Sequence, residues 1–207
     1  MADPIILAVY YFAPITYYAH WLQADEVCLE AVDHYEKQTY RNRCYIYNAN
    51  SKLMLNIPIK HKRGMRKYKD VHISYEYPWQ EQHQKSLKIA YQSSSYYEYY
   101  EDDFLSLFQS KEIFLWDLNW KFTHLISMLI ESNLLNKCTE VYQKNYPNKT
   151  DLRDQFHAKK HSTENLQLYH QVFSEKHGFL SDLSIVDLLF HQGKNGIKYL
   201  KNLPLIS

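Results

Sequence analysis

The apolar run Ile5 to Phe12 opens the pattern. It is too short to span a bilayer, has no basic segment ahead of it and leads directly into patterned sequence, so it predicts a buried strand. Pro14 fits the first turn of a helix reaching Gln23, with Tyr18 and Leu22 on one face and Tyr17 and Trp21 on another. Glu26 to Glu30 predicts a second strand, which makes the strand, helix, strand opening of an α/β unit. Arg43 to Tyr47 and Lys52 to Ile59 then predict a hairpin. Leu53, Leu55, Ile57 and Ile59 alternate there, and Asn48-Ala49-Asn50-Ser51 supplies the turn. Val71, Ile73 and Tyr75 mark one more short strand.

From Pro78 the period becomes helical, with Trp79, His83, Ser86, Leu87 and Ala90 near one face and a pause at serines 93 to 95. The longest helix is expected over Glu112 to Ser132, where Phe114, Leu115, Leu118, Phe122, Leu125, Ile126, Leu129 and Ile130 recur at three and four residues. Residues 143 to 165 are polar and aperiodic, which predicts a loop or mobile flap. Order returns at Leu166 to Lys176. Ser184-x-x-Asp187 then reads as a capping box before Leu188, Leu189 and Phe190, with Gly193 as the stop. The expected fold is mixed α/β, a small N-terminal sheet with a flanking helix followed by a mostly helical half. No long Pro, Gly or Ser linker divides the chain, so 1–207 reads as one domain.

Hydrophobic residues at 45% and charged residues at 23% exclude a disordered chain. A net charge of +1 argues against an extended nucleic-acid surface, although Lys60 to Lys69 is strongly basic and Glu98 to Asp103 acidic. Cys28, Cys44 and Cys138 form no Cys-x-x-Cys pair, so neither a disulfide framework nor a cysteine zinc site is suggested, and reduced cytoplasmic thiols fit. No stretch is long and apolar enough to predict a membrane span. With glycine only at 64, 178, 193 and 196, a Walker loop and a dinucleotide fingerprint are both excluded. There is no Gly-x-Ser-x-Gly elbow and no His-Glu-x-x-His motif.

The densest polar run is His34 to Arg43. Lys37, Arg41 and Arg43 can clamp a carboxylate or diphosphate through charge-assisted, bidentate bonds, and His34 can shuttle a proton. A solvated loop with structural ion pairs is equally open. The loop Lys60 to Lys69 adds positive charge beside the hairpin exit, with Lys60 placed by its strand and Gly64 as a hinge; a plain exposed basic loop is the alternative. Trp79 and His83 share a helical face, where the indole can stack on a sugar or base and the imidazole can exchange a proton, or both can be core. Tyrosines 96, 97, 99 and 100 read as packing. His157 and His161 have helical spacing but no third ligand, so no metal is assigned, and no cofactor is identified.

Tyr11-Phe12-Ala13-Pro14-Ile15-Thr16-Tyr17, Asp25-Glu26-Val27, Lys37 to Arg43, Pro58, Lys69-Asp70-Val71, Trp79-Gln80-Glu81-Gln82-His83 and Tyr91 resemble the WbqC-like protein family. So do His177-Gly178-Phe179 and Leu183 to Phe190 in the tail. Ala13 stands where a second proline is expected. The resemblance implies a bacterial protein associated with cell-surface polysaccharide, especially O-antigen, gene clusters, for which a glycine transferase role has been suggested. Such a transferase, acting on an amino-sugar nucleotide or glycan precursor, needs a diphosphate clamp (Lys37, Arg41, Arg43, Lys60) and a base (His34 or His83). It also needs a group that holds the polarised carbonyl (Asn42). Tyr17 and Trp79 complete the expected substrate-binding set. The alternative is a non-catalytic module that binds a nucleotide sugar or glycan precursor within a biosynthetic assembly. Either way the partner is a small anionic molecule, and protein partners are not identified. Arg41→Ala is expected to abolish binding and spare the fold.

Overall fold

The computed structural model describes residues 4–61, 64, 66–132, 135–158 and 166–205. The apolar opening forms β1 (Ile5–Ala8), and α1 (Ile15–Gln23) returns the chain to β2 (Val27–Glu30), which lies parallel to β1 with Ile5 opposite Val27. β1 is shorter than expected. Tyr11 N donates to the Tyr40 carbonyl at 2.9 Å and Phe12 takes a positive φ of 44°, so the buried run leaves the ladder and turns into Pro14.

The expected hairpin forms as β3 (Arg43–Asn48) and β4 (Ser51–Asn56), with Arg43 opposite Asn56 and Asn48 opposite Ser51; its second strand ends before the expected Ile59. The Asn48 side chain accepts from Ala49 N at 2.7 Å and shapes the turn. Val71 to Tyr75 makes isolated bridges, Ile59 with Ile73 and His72 with Phe114, in place of a strand. A short 3-10 turn at Tyr68–Asp70 precedes it.

Three helices follow: α2 (Trp79–Tyr91), α3 (Tyr97–Gln109) and α4 (Leu115–Leu129). α4 buries Leu115, Leu118, Phe122 and Ile126, the stripe read from its period, and also Asn119.

Two strands not read from the sequence follow, one ahead of the polar middle and one within it. β5 (Leu135–Cys138) adds to the outside of β2, and the two-residue β6 (Thr150–Asp151) adds to the outside of β1. The parallel sheet therefore runs β5-β2-β1-β6. Apart from β6, 143–158 forms the expected loop; Leu152, Arg153, Phe156 and Ala158 are buried, so its second half packs into the protein instead of lying over it as a flap. Residues 159–165 of that stretch, His161 included, lie outside the described residues.

In the tail, Leu166 to Gln171 has no regular element and leads through a turn into α5 (Ser174–His177), followed by α6 (Ile185–Gln192) and α7 (Asn195–Asn202). Ser184 caps α6, its side chain accepting from Val186 N, and Gly193 stops it at φ 52°. Asp187 does not complete a capping box. It is buried and accepts from Tyr91 Oη at 2.8 Å, Tyr169 Oη and Gln171 Nε2 at 2.9 Å, which ties the tail to α2.

Asp187→Ala strands the buried Tyr91 and Tyr169 hydroxyls at once, while Gln171 Nε2 keeps the Leu180 carbonyl at 2.9 Å. Urea unfolding of that variant is expected to show a loss of about 3 kcal/mol or more, whereas a peripheral carboxylate would cost almost nothing.

Candidate functional site

In the parallel sheet β1, β2 and β6 present their carboxyl ends at one edge. The chain leaves β1 for β2 on one side while β6 lies on the other, the switch in strand order at which open parallel sheets form ligand crevices. β1 continues into Val9 and Tyr10, β2 ends on Glu30 and leads to Asp33, and β6 leads to Arg153.

At this edge the two basic stretches become one unit. Tyr35 N donates to the Arg66 carbonyl at 2.9 Å, Tyr68 N donates to the Asp33 carbonyl at 2.8 Å, and His34 faces Lys67 in an antiparallel bridge. Lys62, Arg63 and Met65 of the second stretch lie outside the described residues.

Arg41 is the centre of the unit and is only 1% exposed. It is ion-paired with Asp33 and, at 3.1 Å, with Glu36. Its guanidinium lies 5.9 Å from the Tyr10 ring centre and 5.7 Å from that of Tyr68. The Arg41 carbonyl accepts from Asn119 Nδ2 at 2.6 Å; the same amide donates to the Tyr68 hydroxyl, which donates to the Val9 carbonyl at 3.0 Å. Tyr10 Oη donates to the Arg153 carbonyl at 2.8 Å. Arg153 in turn pairs with Glu30 at 3.0 Å and with Asp151, and stacks near Tyr142 and Tyr146.

With Asp33 and Glu36 held by Arg41, the other cations have no carboxylate to meet. Among the described residues Lys37, Arg43, Lys60, Arg66 and Lys67 form no ion pair. Arg66 lies 5.3 Å from the Tyr35 ring centre and donates to the Lys60 carbonyl at 2.9 Å. Burial pushes the Tyr35 phenol up, against the opposing pull of the Arg66, Arg43 and Arg41 guanidinium charges. Arg43 Nε is buried and finds no acceptor. His34 and Lys37 are exposed on the first strip and Lys60 beside the second; the His34 ring centre is 6.2 Å from that of Tyr142.

The remaining expected site residues lie elsewhere. Tyr10 and Tyr11 are consecutive, yet Tyr10 serves Arg41 while Tyr11 donates to His83 Nδ1 at 2.8 Å. His83 packs against Trp79 and Phe108, with ring centres 5.2 and 6.4 Å away. Burial lowers its pKa to about 4, a backbone hydrogen bond to Asn56 acting the other way, so it is neutral at pH 7. Trp79 is buried beside it. Tyr17 is core: its hydroxyl donates to the Ala8 carbonyl at 3.0 Å. Asn42 is buried, its Nδ2 donating to Asn56 Oδ1 at 2.9 Å and to the Ile57 carbonyl at 3.1 Å, which leaves an oxygen and no N–H free.

Among the described residues no three His, Cys, Asp or Glu side chains are placed to hold a metal; His157 is exposed. Tyr10, Asp33, Tyr35, Tyr68, Asn119 and Arg153 are not singled out by the sequence reading. The one available signal was Glu30, a carboxylate ending an apolar strand, which implies a buried partner.

Fold and site together define an α/β protein with a cluster of cationic side chains at the carboxyl edge of a parallel sheet. Within that class the chain belongs to the WbqC-like protein family, which it matches over residues 9–133. The matched span holds the zipped strips, the hairpin and α2 to α4; Arg153 and the tail lie beyond it. No curated protein and no solved structure matches the chain. No helix among the described residues is long and apolar enough to cross a membrane.

Two outcomes follow from the geometry. Arg41→Ala leaves Asp33 and Glu36 without their cation and opens a gap between two rings, so chemical denaturation is expected to register a loss of about 2–4 kcal/mol. The buried Arg41 and its pairing with Asp33 thus argue against the expectation that the fold survives this change intact. For His83, the unfolded imidazole titrates near 6.5 and the folded one near 4. Between those values the unfolded chain binds the additional proton. The histidine's contribution is therefore complete above about pH 6.5 and is lost as pH falls toward 4, by up to about 3 kcal/mol. In His83→Gln that part of the pH dependence should flatten; an unchanged curve would assign it to other groups.

Proposed function

We propose that this protein is a cytoplasmic transferase of cell-surface polysaccharide biosynthesis that passes an aminoacyl group, glycyl in the simplest case, to an amino-sugar nucleotide. The observation that carries the reading is Arg43, whose buried Nε has no acceptor and whose charge has no carboxylate partner among the described residues; Arg66 and Lys60, joined by a hydrogen bond, add positive charge on the second strip. A diphosphate satisfies such donors through bidentate charge-assisted bonds, and the surrounding lysines draw it in. A buried water is the other occupant such a donor accepts.

In this reading the sugar amine attacks the carbonyl carbon of an activated aminoacyl donor. An N–C bond forms, the bond to the donor's leaving group breaks, and the amine proton passes to His34, the exposed histidine on the first strip. His83 is less suited to that role because its Nδ1 is held by Tyr11. The free Asn42 oxygen repels a developing oxyanion, so polarisation of the carbonyl passes from Asn42 to the guanidinium groups. The engagement of His83 and Asn42 also favours a second reading, a nucleotide-sugar-binding module without chemistry.

A thermal-shift screen against nucleotide sugars, free nucleotides, glycine and acyl-coenzyme A compounds tests both. A ligand at one hundred times its Kd stabilises by about 2.7 kcal/mol, which for a chain of this size raises Tm by roughly 5–10 °C. Arg43→Gln should lose the shift while keeping the ligand-free Tm. His34→Ala should keep the shift and lose turnover. A shift in wild type without turnover on any aminoacyl donor selects the binding module, and no shift with any nucleotide sugar overturns the clamp.

A further inference from the structure

A cleft of about 340 Å³ lies between the start of α2 and the end of α3. We propose that it is a saccharide-binding subsite that takes a neutral pyranose, separate from the cationic sheet edge and independent of the transferase reading. Its volume falls within the range of small-molecule sites.

Tyr77 is 52% exposed and has no ring partner among the described residues, so it offers a flat apolar face for the C–H side of a sugar ring. Gln84 and Gln109 line the same cleft, and each carboxamide both donates and accepts, as a sugar hydroxyl does. Glu81 and Lys111 add one charge of each sign. Their near-cancellation gives the cleft no preference for an anion, in contrast to the arginine-lined edge of the sheet.

Trp79 forms part of the lining, and its buried indole N–H finds no acceptor among the described residues. A buried donor left unpaired is costly, and a sugar hydroxyl is an acceptor of the right kind. The walls are held in place without a ligand. Gln80 Nε2 donates to the Ser110 carbonyl at 2.7 Å and Tyr75 Oη to the Glu112 carbonyl at 2.8 Å, so α2 and the α3–α4 connection are pinned together. Lys111 Nζ lies 5.8 Å from the Tyr75 ring centre, which leaves Tyr77 as the open ring. The other aromatic depression, at Tyr96, Tyr99 and Tyr100, contains no unpartnered buried donor, and its Lys194 is paired with Glu131.

The test is a titration of the ¹⁵N-labelled full chain with four neutral disaccharides: maltose, lactose, mannobiose and diacetylchitobiose. The Trp79 indole resonance is assigned by triple-resonance spectra. At least one disaccharide is expected to move that resonance saturably as its N–H gains an acceptor. Tyr77→Ala, a change at an exposed ring that leaves the rest of the spectrum in place, should weaken the interaction about ten-fold, and Gln84→Ala should weaken it as well. Arg43→Gln should leave it unchanged. The proposal falls if no disaccharide moves the Trp79 resonance up to its solubility limit, or if binding persists at full strength in both cleft variants. Binding lost in Arg43→Gln and kept in Tyr77→Ala would place the sugar at the sheet edge and overturn it equally.

Discussion

A single buried guanidinium organises the functional half of this protein. Taking Arg41 out of water is unfavourable unless its charge and its donors are met, and the surrounding structure meets them from several directions. Asp33 and Glu36 supply charge, Tyr10 and Tyr68 supply ring faces, and Asn119 grips the Arg41 carbonyl. These partners come from the end of β1, the loop after β2, the 3-10 turn and α4. Satisfying one side chain therefore fixes the mutual positions of the sheet edge, both basic strips and the longest helix.

The same arrangement divides the charges of the site into two kinds. Asp33, just before the first strip, and Glu36 within it are both taken by Arg41, which leaves Arg43, Arg66 and the strips' lysines without an ion-pair partner among the described residues. Near-neutral total charge thus coexists with a strongly cationic edge, because neutralisation is local. A parallel division separates the histidines. His83 is desolvated and held by Tyr11, while His34 stands exposed beside the cations.

Much of the scaffold was legible along the chain. The opening α/β unit, the hairpin and the longest helix each rest on local periodicity or turn chemistry, which few tertiary contacts can override. The elements that were not legible depend on distant partners. β6 is two residues long and has no pattern of its own; Thr150 and Asp151 become a strand because β1 offers an open edge. Arg153 reads as one more charge in a polar stretch, yet it is buried because Glu30, far away in sequence, ends a strand inside the protein. Asp187 matched a local capping pattern, and the tertiary structure gave its carboxylate to Tyr91, Tyr169 and Gln171 instead.

For the site, the sequence by itself determined which residues supply positive charge and that they fall in two strips, His34 to Arg43 and Lys60 to Lys69, since composition and spacing are properties of the chain alone. Family membership likewise rests on the order of residues between 9 and 133. Only the tertiary structure decided how those charges are used. Whether an arginine is a clamp or a keystone depends on whether carboxylates reach it, and both arginines sit in the same short motif two residues apart. Arg41 meets Asp33 and Glu36 while Arg43 begins a strand and meets none among the described residues. The physical reason is that periodicity reports which way a side chain faces, whereas pairing and desolvation depend on what the rest of the chain brings to meet it.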